Sequence, residues 1–336
     1  MIEEIYKNIY RIHVPLKGNP LKELNSYFIS SEGEQLLIDN GFRTEDCYNA
    51  LKAGLDELGC DYGKLKLAAT HLHSDHSGNT NRLAAYDNEV YMSETDIRHL
   101  KTFADRNNRH LREDRFLSEG FLREWLDAQK KANPAYMAGM TDPFAVNFVP
   151  MHTGDKIRAG EYEFTWILCP GHTPGNSMLY EENHKIMFTG DNILFTITPN
   201  ITSWFDMDDA LGSYLESLEN SRHCDVRYAF PGHREFGHAD YYARIDSLFA
   251  HHKRRLNEAL SIVRANPGFN AIDVCSRMTW KIRCDSWEDF PVTQRFFAAG
   301  ETFSHLDYLR LRDFIRREKD ADGIWRYEAI TDKNVE

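Results

Sequence analysis

The chain has 336 residues, a length that fits two domains or one large domain with an appendage. Its 40 Lys and Arg against 52 Asp and Glu leave a formal net charge of −12, which argues against a protein that coats nucleic acid through a general positive field. With 42% hydrophobic and 12% aromatic residues the composition excludes disorder as the main state, and no stretch approaches the ~18 uninterrupted apolar residues of a membrane span.

Met1-Ile2-Glu3-Glu4 has neither a basic start nor an apolar run, so no export signal is expected and the cytoplasm is the expected location. Ile5–Val14 alternates loosely as a strand until Gly18-Asn19-Pro20 breaks the pattern. Asn25–Ser30 and Gln35–Ile38 read as a hairpin ending at Asp39-Asn40-Gly41. Thr44–Leu58 has apolar residues at helical spacing (Leu51, Leu55, Leu58) and stops at Gly59. Leu65–Ala69 is a short buried strand that delivers the chain to Thr70-His71-Leu72-His73-Ser74-Asp75-His76-Ser77-Gly78. Asn79–Tyr86 reads as a helix and Glu89–Met92 as the next strand.

Residues 95–147 break this alternation. The stretch is highly charged, carries Leu100, Phe103, Phe116, Phe121 and Trp125, and reads as two or three helices inserted between strands. Its aromatic and Met residues, with Tyr136, Met137 and Met140, suit either the small core of a helical cap or an apolar lid over an acyl group. Strands resume at Asn147–Val149, Asp155–Ile157, Tyr162–Cys169, Ser177–Tyr180 and Lys185–Thr189. A helix over Asp208–Ser221 and a strand over Val226–Phe230 complete the first unit, residues 1–238. Residues 239–336 form a second unit: helices over Ala239–Ala265, Ala271–Met278, Thr293–Ala299 and Thr302–Arg317, then a β-element at Ile324–Ile330, a winged-helix-like order. Six cysteines (Cys47, Cys60, Cys169, Cys224, Cys275, Cys284) are scattered without a C-x-x-C pair and read as reduced thiols.

The chemistry concentrates in His71, His73, Asp75 and His76. Three imidazoles and a carboxylate within six residues repel or go unpaired as mere structure, and a divalent cation removes the conflict, because neutral imidazole and carboxylate suit Zn²⁺. Three later residues sit at strand ends beside glycine: His172 in Pro170-Gly171-His172, Asp191 in Gly190-Asp191-Asn192, and His233 in Pro231-Gly232-His233. Glycine there lets the backbone approach closely and aim the next side chain into a shared cleft. Loops on a rigid sheet are a common place for such sites.

This set resembles the metallo-β-lactamase superfamily in its binuclear hydrolase branch, over about residues 5–235. The resemblance implies an α/β fold, an αββα sandwich. It implies one metal on His71, His73 and His172, a second on Asp75, His76 and His233, and Asp191 bridging both. Pairing Asp75 with His76 is similar to the glyoxalase II and lactonase type and disfavours a β-lactam substrate. Asp39 and Gly41 match the family's Asp-x-Gly turn, with Asp39 orienting a ligand rather than binding metal. The implied cofactors are two divalent ions, Zn²⁺ first, with Mn²⁺ or Fe²⁺ also compatible. The implied chemistry is attack by a metal-bridging hydroxide on an ester, thioester or lactone of a small molecule, with Asp75 passing the proton to the leaving group.

The tail, through Tyr241–Arg255, Cys275–Trp280 and Gly300–Leu309, resembles the β-lactamase-like-protein-2 group, as does Thr196-Ile197-Thr198-Pro199-Asn200-Ile201. That resemblance keeps a metal-dependent endoribonuclease as the alternative function. Residues 241–336 hold 16 Lys and Arg against 15 Asp and Glu, too balanced for a nucleic-acid patch, so a small-molecule substrate is favoured and nucleic acid disfavoured. A third reading makes the tail an assembly module, forming a homodimer. Phe195, Trp204 and Phe205 are expected to line the substrate pocket. His13, His99, His110, His152, His184, His223, His238 and His305 lack ligand spacing, His251-His252 reads as a solvated or interdomain pair, and Cys169 as a buried strand residue.

Overall fold

The computed structural model describes every residue except 85–86, 109, 235–239, 283 and 285, and every side chain among them except those of 106 and 112. The predicted first strand is two, β1 (Ile2–Tyr6) and β2 (Ile9–Pro15), reversed at Asn8, whose left-handed φ of 59° asparagine tolerates better than most residues. With β3 (Glu23–Ser31), β4 (Glu34–Ile38), β5 (Leu65–Ala68), β6 (Val90–Ser93) and β7 (Phe148–Met151) they form a seven-stranded sheet in chain order. Pairing is antiparallel up to β4 and parallel from β4 to β7. Parallel neighbours need crossovers. These are α1 (Glu45–Glu57), the loop carrying the short helices α2 (Ser74–Ser77) and α3 (Thr80–Leu83), and the insert. The helix predicted over Asn79–Tyr86 is this shorter α3, and Tyr86 lies outside the described residues.

A second sheet of five strands has the order β12-β11-β10-β9-β8: β8 (Lys156–Ala159), β9 (Tyr162–Leu168), β10 (Ser177–Glu181), β11 (Ile186–Gly190) and β12 (Tyr228–Pro231). Its one parallel pair, β11 with β12, is bridged by α8 (Ala210–Ser221). The period-2 alternation of strands assigns each residue to a layer. Tyr27 and Ile29 of β3 join Phe164, Trp166 and Phe188 between the sheets, whereas Phe28 packs with Leu51 and Leu55 of α1 outside. Met178 and Met187 face the other way, into the core shared with α8 and the tail. This is the expected αββα arrangement.

Among the described residues the insert has four α-helices: α4 (Glu94–Ala104), α5 (His110–Ser118), α6 (Arg123–Ala132) and α7 (Pro134–Ala138). It does not close on a core of its own. Phe116 stacks on Phe296 of the tail (ring centroids 4.4 Å, 5° between planes) and meets Phe303 at 5.0 Å. Tyr136, Met137 and Met140 are exposed.

The tail comprises α9 (Tyr241–Ala265), α10 (Ala271–Arg277), α11 (Val292–Leu311) and the hairpin of β13 (Ile315–Lys319) and β14 (Trp325–Ala329). The predicted boundary at 238/239 lies outside the described residues. The two helices predicted over 293–299 and 302–317 are one, α11, which runs through Gly300 and stops at Leu311, so that 315–317 is strand. Of the solvated and interdomain readings of His251-His252, the second fits His252, which is buried, meets Tyr214 of α8 edge-on at 5.4 Å and has Nδ1 3.2 Å from His305 Nε2. All six cysteines are free thiols, and Cys169 is buried as expected. Among the described residues no helix is long and apolar enough to cross a membrane.

Candidate metal centre

The loops at the C-terminal ends of β4, β5, β9, β11 and β12 deliver Asp39, the His71–His76 segment, His172, Asp191 and His233 to one place. His71, His76 and His233 are fully buried, and Asp75, His172 and Asp191 nearly so. Donor atoms lie within 4.8 Å of one another in three overlapping groups: His71, His73 and His172; His71, His76 and Asp191; and Asp75, His76 and His233. All seven expected ligand residues are therefore brought together.

The tautomers follow from the partners. His76 Nδ1 lies 2.7 Å from Asp39 Oδ2, and His233 Nδ1 lies 2.8 Å from the carbonyl oxygen of Glu23. Both nitrogens donate there, since the oxygens can only accept. The two Nε2 atoms then present lone pairs to each other across 3.1 Å. His172 repeats the pattern: Nδ1 donates to the Asn200 carbonyl at 2.8 Å, and its buried Nε2 has no hydrogen-bond partner among the described residues. Asp191 Oδ1 is likewise buried without a hydrogen-bond partner, 3.5 Å from His76 Nε2. Convergent lone pairs and an orphaned carboxylate oxygen are what a cation requires and what a protein alone pays to bury. The donor set of imidazoles and carboxylates thus fits divalent metal ions of the Zn²⁺ type.

Titration follows the same arrangement. Burial alone pushes the carboxyls up, but the surrounding imidazoles reverse this: Asp75 falls to about 2, and Asp191 falls far below the carboxylate range. Burial and its histidine neighbours hold His71 well below the usual imidazole range. Burial opposes the charge on His76 and His233 too, but Asp191, with Asp39 for His76 and Asp75 for His233, raises both.

Among the described residues Asp39 is in none of the three donor groups. It accepts from Thr70 N–H at 2.8 Å and from the Thr70 hydroxyl, and its Oδ2 lies 2.7 Å from His76 Nδ1. Gly232 has its own reason: a Cβ there sits 2.7 Å from both Asp191 Oδ1 and His76 Cε1.

Of the predicted pocket residues, Trp204 lies beside the histidine cluster. It stacks on His73 (6.1 Å, 25°) and donates Nε1 to the His172 carbonyl at 3.3 Å. Phe205 sits beside His99 and Phe103, at 5.4 and 5.7 Å. Phe195 packs half-buried against the helical core instead. His99, set aside for lack of ligand spacing, is buried and meets Trp204 edge-on at 5.8 Å, with Nε2 2.8 Å from Asp206 Oδ1.

Sequence reading missed Asp96. It is fully buried at the start of α4, and accepts from Leu72 N–H (2.8 Å), the Thr173 hydroxyl (2.9 Å) and Gly175 N–H (2.8 Å). One carboxylate thereby ties the loop of His71 and His73 to the loop of His172. Burial raises its carboxyl to about 6 against the pull of these donors. The only sequence signal was Ser93-Glu94-Thr95-Asp96 opening a helix after a strand, an ordinary N-terminal cap.

Comparison with known proteins places these observations in a family. Residues 22–233 match the model of the metallo-beta-lactamase superfamily, and residues 288–330 match a metallo-beta-lactamase-like C-terminal domain. An acyl-coenzyme A thioesterase MBLAC2 from Gallus gallus is 25% identical over 67% of this chain and 77% of its own length. A beta-lactamase-like protein 2 homolog from Caenorhabditis elegans is 23% identical over 84% of this chain and 81% of its own. The chain spans 59% and 65% of the length of two other curated relatives it matches. A crystal structure of the metallo-beta-lactamase family protein TTHA1429 from Thermus thermophilus superposes with a TM-score of 0.77 at 25% identity, over 97% of this chain and all of that one. The match over residues 22–233, which carry all seven donor residues, shows that the chain belongs to the metallo-beta-lactamase superfamily.

Proposed function

We propose that the chain is a binuclear metal-dependent hydrolase of a small-molecule thioester, ester or lactone, with a thioester first. The observation that carries this reading is the seven-residue donor set, above all the lone pairs that His76 and His233 turn toward each other at 3.1 Å. His71, His73 and His172 would hold one ion and Asp75, His76 and His233 the other, with Asp191 between them. A pair of divalent ions bound there supplies Lewis acidity and activates water near neutral pH. Zn²⁺ suits the donors, and Mn²⁺ and Fe²⁺ share much of that preference.

The chain's own groups do the rest. Asp75, ionised at neutral pH, accepts the proton of the attacking water at its carboxylate and hands it to the leaving thiolate or alkoxide as the acyl bond breaks. Trp204 walls the site beside His73 and also lines a cavity of about 240 Å³ between α5, the loop after β11 and the tail. The relative named as an acyl-coenzyme A thioesterase supports the choice of a thioester. The helix and hairpin order of the tail supports a winged-helix-like domain.

The test is turnover by the metal-loaded protein on a panel of acyl-coenzyme A, S-acyl glutathione, aryl ester, lactone, cephalosporin and single-stranded RNA. Hydrolysis of a thioester ahead of the others is expected. Cleavage of RNA alone, weakening with salt as phosphate contacts require, contradicts the proposal and favours the endoribonuclease.

A further inference from the structure

The residues after Asp191 and the tail, which both stood out in the sequence, meet each other at the 200–204 loop, which in turn holds His172. The loop 200–204 holds this histidine twice: the Asn200 carbonyl accepts from its ring Nδ1 at 2.8 Å, and Trp204 Nε1 donates to its backbone carbonyl at 3.3 Å. The same loop is held in turn by α11. The Phe297 carbonyl accepts from Asn200 Nδ2 at 3.3 Å, and the Gly300 carbonyl from Ser203 N–H at 3.3 Å. The Ser304 hydroxyl donates to the Ile201 carbonyl at 2.6 Å, and Asp307 Oδ2 accepts from the Ser203 hydroxyl at 3.4 Å. Positions 297, 300, 304 and 307 are spaced by three and four residues, so they form one face of the helix.

Gly300 is what allows the close approach. A Cβ there would lie 2.3 Å from Thr202 Oγ1 and 3.2 Å from Thr202 Cβ. A glycine inside a helix costs stability, so a position that keeps one at a contact this tight is set by packing. Ser304 is fully buried, and Thr202 nearly so.

We infer that α11 of the C-terminal domain is a positioning element for the metal centre: through Gly300 and Ser304 it clamps the 200–204 loop, and through the Asn200 carbonyl that loop sets the tautomer and direction of His172. The domain thus contributes to the site without donating a ligand. A group that fixes a ligand's far nitrogen decides which nitrogen faces the metal and how basic it is.

This rests on His172 as a ligand, and the test separates the two claims. Divalent-metal affinity is measured by chelator competition, and the Co²⁺-substituted protein is read by its d–d absorption, which reports ligand geometry rather than folding. His172→Ala, Ser304→Ala, Gly300→Ala and the double variant Gly300→Ala/Thr202→Ala are compared, with tail folding followed by thermal unfolding. Ser304→Ala and Gly300→Ala are each expected to weaken one metal by roughly 10- to 100-fold and to change the cobalt spectrum, while the tail stays folded. The double variant, which removes the colliding hydroxyl, is expected to recover most of the loss. If Gly300→Ala does not fold, Ser304→Ala decides alone. Weakened metal in His172→Ala with wild-type affinity and spectrum in Ser304→Ala overturns the clamp but keeps the ligand. Wild-type metal binding in His172→Ala overturns both.

Discussion

His76 and His233 face each other Nε2 to Nε2 across 3.1 Å, while the Nδ1 of each is already donating, to Asp39 and to the Glu23 carbonyl. Two neutral rings so arranged repel unless a cation or a proton takes up the lone pairs. Asp191, Asp39 and Asp75 raise the affinity of these rings for protons in the metal-free protein. Metal and proton therefore compete for the same nitrogens. Metal affinity is expected to fall as pH drops from about 8 to 6, more steeply than for an unperturbed imidazole site, and chelator competition at several pH values reads this directly. An affinity flat over that range contradicts the tautomer assignment.

Asp39 tests the support beneath the ligands. Asp39→Asn keeps the size of the side chain but places an amide where the Thr70 N–H, the Thr70 hydroxyl and His76 Nδ1 all find an acceptor. The expected result is a roughly 10- to 100-fold loss of metal affinity with the fold intact, seen by metal titration and circular dichroism.

Asp96 links stability to pH. Its folded carboxyl titrates at about 6, above the ordinary value of 3.8, so the folded state binds the proton more tightly than the unfolded chain. The stabilising protonated form is lost as pH rises through 6. The stability difference between wild type and Asp96→Asn should therefore move against the wild type by about 1 kcal/mol from pH 5 to pH 7.5, as denaturant unfolding would show. At pH 7.5, where the wild-type carboxyl is ionised, the variant should hold metal less tightly, because an amide cannot accept from Leu72, Thr173 and Gly175 together.

Phe116 binds the insert to the tail. It is buried among Phe121, Phe296 and Phe303, and beside it Arg115 pairs with Asp307 at 2.8 Å while the buried Glu119 accepts from Tyr327 at 2.8 Å. Phe116→Ala is expected to cost about 3–5 kcal/mol. Because one core serves both regions, insert and tail should loosen together, with hydrogen exchange rising in α5 and α11 alike.

Much of the site was legible because its chemistry is local in sequence. His71, His73, Asp75 and His76 lie within one loop, and His172, Asp191 and His233 each follow a glycine at a strand end, so residue type and context marked them. The alternation of strands and helices was legible for the same reason, since Leu65–Ala69 or Lys185–Thr189 announce themselves over a few residues. What escaped depends on contacts distant in sequence. Asp96 is an ordinary helix-start residue until Leu72 and Gly175 fold onto it. Gly300 reads as a break between two helices, because only Thr202 shows why a glycine is needed inside one. Phe116 and Phe121 read as the core of a helical cap or as an acyl lid, because their partner Phe296 lies far along the chain.

The central claim is a cleft built to hold two metal ions with Asp191 between them. Its most direct test is metal content after saturation and desalting, on the wild type and on Asp191→Ala. Two divalent ions per wild-type chain are expected, with metal and hydrolytic turnover lost together in the variant. A wild type that retains no metal, or an Asp191→Ala protein that keeps both ions and full turnover, would contradict it.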